Sequence, residues 1–123
     1  MKRQAGAARR AALAVMLAAA APAVAMNLMG LGDVPLRHMT GEDTRILMDT
    51  AEATLETGAD GVMRAWSNPL TSAHGELTPG PAFERGGRRC RDLEVYSSAG
   101  GRDNRLTVTT CKGDDGEWRV DRP

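Results

Sequence analysis

The stretch Arg89-Cys90-Arg91-Asp92-Leu93-Glu94-Val95-Tyr96 and, after an eight-residue interval, Arg105-Leu106-Thr107-Val108-Thr109-Thr110-Cys111-Lys112 decides the fold. Both runs largely alternate apolar and polar residues, which reads as two strands over 89–96 and 105–112. Between them lies Ser97-Ser98-Ala99-Gly100-Gly101-Arg102-Asp103-Asn104. A two-residue hairpin turn needs positive φ at both central positions, and Gly100-Gly101 supplies it without steric cost. Such a turn sets Ala99 opposite Arg102. Counting outward from it sets Cys90 opposite Cys111. Facing residues of an antiparallel pair have Cα atoms ~4.5–5.5 Å apart, a separation a disulfide can bridge. The turn chemistry alone therefore predicts one cross-strand disulfide between the two cysteines of the chain.

Outward from this hairpin, the rest of the chain has local signals of its own. Thr40-Gly41-Glu42-Asp43 resembles a capping box with acids in the first turn. Leu47, Ala51, Thr54 and Leu55 recur at helical spacing, with Ile46 widening the stripe, and Gly58 suits a helix stop. The spacing predicts a helix over 41–57, with Arg45 and Asp49 able to pair on its outer face. Val62 to Trp66 reads as a short strand and Ser67-Asn68-Pro69 as a turn. His74 to Thr78 reads as a strand that resumes to Glu84 after Pro79-Gly80-Pro81, with a turn at Arg85-Gly86-Gly87-Arg88. A turn at Gly113-Asp114-Asp115-Gly116 leads to a last strand, Glu117 to Asp121. The expected class is α+β: one N-terminal helix packed on an antiparallel meander of about four to five strands. Strict alternation sets Leu93, Val95, Leu106 and Val108 on one face, and Cys90, Cys111, Trp118 and Val120 on the other. Either both faces are covered, or a bulge near Thr109-Thr110 brings Trp118 round to the core.

The first 25 residues read as a secretory signal. Met1 to Arg10 form a basic start, Ala11 to Ala21 an apolar run, and Pro22 precedes a small-x-small cleavage site at Ala23-Val24-Ala25. The apolar run is about 15 residues, short of the roughly 20 that span a bilayer, so the mature chain is expected to have no transmembrane helix. Residues 22–30 contain no cysteine to acylate, so a bacterial lipid anchor is not expected. The organisation is thus a signal over 1–25, an irregular lead-in over 26–40 and a single α+β domain over 41–123. An oxidising compartment is also where a disulfide persists. The 123 residues carry 16 basic and 16 acidic side chains. Residues 1–25 hold four of the basic ones and no acid, leaving 12 against 16, a net of −4. That balance argues against a nucleic-acid partner, which would need a basic surface.

Several short motifs then come in order: Trp66-Ser67-Asn68-Pro69, Gly75-Glu76-Leu77-Thr78-Pro79, Gly87-Arg88-Arg89-Cys90-Arg91-Asp92, Thr110-Cys111-Lys112 and Asp115-Gly116-Glu117-Trp118-Arg119-Val120. This series, over about residues 60–120, resembles the C-terminal domain of the bacterial outer-membrane surface-antigen family of the seventeen-kilodalton type. Pro35 to Asp60 is similar to the helical lead-in of some members. The resemblance sets the family's two cysteines on Cys90 and Cys111, implies an envelope location and supplies no enzymatic activity, the family being known by antigenicity and location. Many members also carry a lipid-attachment cysteine and a glycine-zipper segment, and neither is in this sequence.

Candidate sites are few. His38 and His74 are the only histidines, and neither sits in a catalytic motif. There is no Gly-x-Ser-x-Gly and no Cys-x-x-Cys. Asp114-Asp115 lacks the remainder of a calcium loop. Met26, Met29, His38 and Met39 are too loosely spaced for a copper site. No catalytic, cofactor-binding or metal-ligating residue is expected. Arg85, Arg88, Arg89 and Arg91 cluster around Gly86-Gly87 and are the candidate interaction patch, suited to an acidic partner. The expected function is that of an exported, non-enzymatic interaction or structural module, periplasmic or peripherally associated with the outer membrane, with an envelope protein or other envelope component as partner. The alternative is a periplasmic binding or inhibitor module against an envelope hydrolase or other soluble partner.

Overall fold

The computed structural model describes residues 35–121. The expected signal over 1–25 and the methionines at 26 and 29 lie outside the described residues. Helix α1 spans Gly41–Thr57, matching the bounds expected from its caps. Thr40 accepts the Asp43 N–H on its hydroxyl while the Asp43 carboxylate accepts the Thr40 N–H, so both halves of the capping box form. Leu47, Ala51, Thr54 and Leu55 are buried on one stripe, and Arg45 bridges Glu42 and Asp49 on the outer side. The helix stops where the Gly58 N–H bonds the Thr54 carbonyl. In the lead-in expected to be irregular, Pro35–His38 forms a single 3-10 turn with Pro35 buried.

The sheet consists of β1 (Arg64–Asn68), β2 (Ala73–Arg85), β3 (Arg88–Ala99), β4 (Arg102–Lys112) and β5 (Trp118–Val120), in the order β1-β2-β3-β4-β5. Every neighbouring pair is antiparallel, so the meander is complete. Gly100 and Gly101 have φ of 59° and 77°, Ala99 faces Arg102, and Cys90 faces Cys111. The two cysteines form a disulfide with Cα atoms 4.0 Å apart. Strand β1 begins and ends two residues later than expected, and Asn68, read as a turn residue, is its last member. Asn68 still organises the turn: its carbonyl accepts the Thr71 and Ser72 N–H groups and its side-chain oxygen accepts the Leu70 N–H.

Two register features determine which side chains share a face. In β2 the pairing with β3 shifts between Pro79 and Ala82. Pro79 and Pro81 are tolerated there because β1 pairs only as far as Leu77, so no ladder hydrogen bond is lost on that side. The shift turns Ala82 and Glu84 to the helix side and Phe83 and Arg85 to the other. At the far edge Lys112 pairs with Trp118 and Thr110 with Val120. Trp118 and Val120 therefore lie on the same face as Leu93, Val95, Leu106 and Val108, with β3–β4–β5 in unbroken register. This corrects the expectation that Trp118 and Val120 oppose them or need a bulge near Thr109-Thr110. The loop Gly113 to Glu117, closed by Gly113 N–H to the Glu117 carbonyl at 2.7 Å, determines this phase.

The core lies between α1 and one face of the sheet. Leu47, Ala51, Leu55, Trp66, Ala73, Leu77, Leu93, Val95, Ala99 and Trp118 form one buried cluster. The Trp66 ring lies against Gly75 of the next strand, and a side chain there would collide with the indole and with the Tyr96 carbonyl. The glycine thus makes room for the largest apolar group of β1. Among the described residues no element covers the opposite face. The disulfide sits on that side, buried with Cys90 and Cys111 at 0% and 2% exposure.

Candidate functional site

The structure divides the four arginines of the candidate patch. Alternation along β3 sends Arg88 to the uncovered face and Arg89 and Arg91 to the helix side. Arg85 and Arg88 meet at the β2–β3 turn, where both reach the Asp121 carboxylate, at 2.9 and 3.5 Å. The Arg85 guanidinium also lies over the Phe83 ring at 5.5 Å. Arg89 is exposed on the other side, 5.9 Å above the Trp118 ring. Arg91 is 2% exposed and so is no part of an accessible patch. Three exposed arginines therefore surround the Gly86-Gly87 turn, and that end of the hairpin extends past the last residue paired with β1.

Arg91 instead ties three elements together. Its Nε donates to the Gly80 carbonyl at the β2 shift, Nη1 to the Thr54 and Leu55 carbonyls at the end of α1, and Nη2 to Asp60. The last turn of α1 has no basic residue of its own. Arg91 brings the cation that the negative end of the helix favours, from a strand. Beside it, Glu56 accepts from the Trp118 indole at 2.8 Å and pairs with Lys112 at 2.7 Å. The Lys112 ammonium and then the indole hold the Glu56 carboxyl below its ordinary pKa.

A second buried charge closes the other end of α1. Asp43 is fully buried, and its carboxylate accepts the Thr40 N–H, the Asn68 amide at 2.7 Å and the Thr71 hydroxyl at 2.6 Å. Burial pushes its pKa up, but the hydrogen bonds from Thr71, Thr40 and Asn68 outweigh that and hold it below the usual value. Asp43→Asn turns one acceptor into a donor facing another donor, and is expected to destabilise the fold by about 1–3 kcal/mol in urea unfolding at pH 7. Because the native pKa is depressed, the charged form's contribution is present above the unfolded value near ~4. It is lost as the pH falls through the lower native value. The gap between wild type and variant should narrow below about pH 4.

The open face carries a polar ladder that the sequence reading did not single out. The Arg105 guanidinium lies 4.9 Å over the Tyr96 ring and pairs with Glu94 at 2.6 Å and Glu76 at 3.8 Å. Tyr96 also stands beside His74, ring centres 6.3 Å apart. His74 is exposed on a strand, with Nδ1 3.0 Å from the Ser72 carbonyl, and His38 packs against Gly100, so the two histidines do not share a site. Asp115 is occupied as a hairpin brace: Arg119 and the Glu117 N–H lower its pKa to about 2. Among the described residues no group of three or more His, Cys, Asp or Glu side chains converges as a metal site. No described helix is long and apolar enough to cross a membrane. The ion pairs of this ladder join β4 to β3 and β2 through Arg105. What the arrangement offers is a rigid, stapled surface with an arginine-bearing hairpin end.

The chain is 29% identical over 83 residues to a 17 kDa surface antigen of Rickettsia bellii (strain RML369-C), covering 67% of this chain and 52% of the relative. It is 29% identical over 80 residues to a 17 kDa surface antigen of Rickettsia amblyommatis, covering 64% and 52%. The chain thus spans about half the length of the curated relatives it matches. No solved structure matches. The family model described as 17 kDa outer membrane surface antigen matches residues 53–119. That span runs from the last turn of α1 through every strand to β5, both cysteines included; the chain belongs to the 17 kDa outer membrane surface antigen family.

Proposed function

We propose that this protein is exported to the cell envelope and acts there as a non-enzymatic interaction module, meeting an acidic envelope component through the β2–β3 hairpin end. The observation that carries this reading is the placement of Arg85, Arg88 and Arg89. All three are exposed around one glycine turn, and among the described residues Asp121 is the one carboxylate that forms an ion pair with any of them. The hairpin is held stiff by the disulfide directly behind the turn and by Arg91 on its other side. Such a surface loses little conformational entropy when it binds. Export is supported by the basic start, apolar run and Ala23-Val24-Ala25 site, and by a disulfide that an oxidising compartment maintains. The family description supports an envelope or surface location, and attachment to the outer membrane would be peripheral.

Crosslinking in intact cells tests the reading. A wild-type adduct with an envelope component should disappear when Arg85, Arg88 and Arg89 are replaced together by serine, while the circular dichroism of the variant stays that of a folded domain. An adduct of equal yield in the folded variant contradicts a binding role for this hairpin. A hydrolase in the adduct would instead favour the inhibitor module.

A further inference from the structure

At the β2–β3 turn Arg85 and Arg88 stand directly opposite each other, on either side of Gly86-Gly87. Like charges in facing positions repel, and an anion shared between them removes that cost. The fold brings one from far along the chain. Asp121 follows β5, where its N–H bonds the Thr109 carbonyl. Its carboxylate gives one oxygen to Arg85 at 2.9 Å and the other to Arg88 at 3.5 Å. Phe83, Cys90, Cys111 and Arg119 pair in line across the sheet, so the two guanidiniums meet Asp121 across the row that holds the disulfide. That row is a buried, cross-linked floor, with Cys90 and Cys111 at 0% and 2% exposure.

The arrangement is only partly filled. A guanidinium carries five N–H donors, and each of these two gives one nitrogen to Asp121. The 3.5 Å contact of Arg88 is longer than an ordinary hydrogen bond. The Asp121 side chain is 16% exposed, whereas those of Arg85 and Arg88 are 53% and 43% exposed. The resident anion is thus the inner member, and donors it leaves unused face solvent. Other arginines nearby are placed differently. Arg119, on the same face, is paired with Asp115 and Glu117, and Arg89 lies on the other side over Trp118.

We propose that Arg85 and Arg88 form a clasp for a phosphomonoester, with Asp121 as the internal anion that the ligand displaces. The chemical class follows from what the ligand has to displace. Held by the fold, the Asp121 carboxylate competes at an effective concentration on the order of millimolar or above. A carboxylate in solution brings the same charge and the same two oxygens, so it gains nothing in the exchange. A phosphodiester, with one charge and two free oxygens, is in the same position. A phosphomonoester brings close to two charges and three acceptor oxygens, enough to engage both guanidinium forks. The inference rests on the hairpin end being the binding surface, and it narrows the acidic partner to one that bears phosphomonoesters.

Titration of the full chain with inorganic phosphate at about pH 8, where the dianion dominates, tests the proposal through the Nε–H resonances of Arg85 and Arg88. Saturable shifts with phosphate, and none with acetate at the same concentration, are the expected result in the wild type. Asp121→Asn should tighten phosphate binding at least about tenfold and admit acetate, because the internal competitor is gone. The substitution keeps the N–H that bonds Thr109, and circular dichroism checks that the domain stays folded. Equal responses to phosphate and acetate in the wild type, or shifts confined to Arg89 and Arg119, overturn the proposal without need of a variant. So does a phosphate affinity unchanged in folded Asp121→Asn. Vesicles of phosphatidylcholine with and without phosphatidic acid then separate the two sources of the group. Recruitment that Arg85→Ser with Arg88→Ser abolishes assigns the phosphomonoester to a lipid, and no recruitment assigns it to a soluble molecule. Failed titrations with a crosslinked adduct that still needs the three arginines would remove the phosphomonoester alone; an adduct independent of them would remove the binding hairpin itself.

Discussion

Arg91→Ala is expected to cost about 3–5 kcal/mol of stability, as much as truncating a large core side chain. The guanidinium is 2% exposed, and it donates to the carbonyls of Gly80, Thr54 and Leu55 as well as to Asp60. Removing it leaves the last carbonyls of α1 and the carbonyl at the β2 shift without their cation, and opens space beneath them. The ion pair itself is a minor part, because Asp60 is 62% exposed and its charge is solvated. Asp60→Asn should therefore cost less than about 1 kcal/mol. Arg91→Lys should recover only a fraction of the loss, since one ammonium cannot reproduce a planar fork aimed at separate acceptors. Urea unfolding of the three variants checks the order. A loss below about 1 kcal/mol for Arg91→Ala would show that the carbonyls find other partners.

Loss of the disulfide is the second large effect. Replacing Cys90 and Cys111 by serine should cost about 2–5 kcal/mol. The cysteines lie 21 positions apart, and chain entropy for a loop of that size accounts for about 3 kcal/mol. In a domain this small such a loss lowers Tm by roughly 10–20 °C. The staple joins β3 and β4 at the end opposite the Gly100-Gly101 turn, so without it the ends of both strands and the three-residue β5 should fray first. Alkylation without reductant of the protein recovered from cells should label neither cysteine. Labelling of both, or an unchanged melting curve for the double variant, would contradict a staple.

Where a structural feature depends on residues close in sequence, it was legible before the fold was known. Thr40 and Asp43 bracket the first turn of α1 and Gly58 ends it, so the helix bounds were read directly. Gly100-Gly101 determined the β3–β4 register, and with it the disulfide, by counting alone. Asp43 was legible as a capping residue but not as a buried node, because Asn68 and Thr71 approach it from 25 and 28 positions away. Arg91 was grouped with Arg85, Arg88 and Arg89 by proximity in sequence. Its actual partners at the end of α1 are 36 and 37 positions distant. Strand alternation already separates Arg91 from Arg88, and a cation in phase with Leu93 and Val95 was the available signal of burial. The face of Trp118 stays open between two alternatives in the sequence because the phase of β5 depends on how the Gly113–Glu117 loop closes, which alternation does not specify; the structure puts it on the core face without a bulge.

The central claim is that this chain is an envelope protein, and fractionation of cells expressing it at native level from its own full sequence tests that most directly. Osmotic shock followed by a high-salt wash of the membrane pellet should recover the protein in the shock fluid or in the wash, as an exported and at most peripherally attached domain. Recovery in the cytoplasmic fraction would contradict the account.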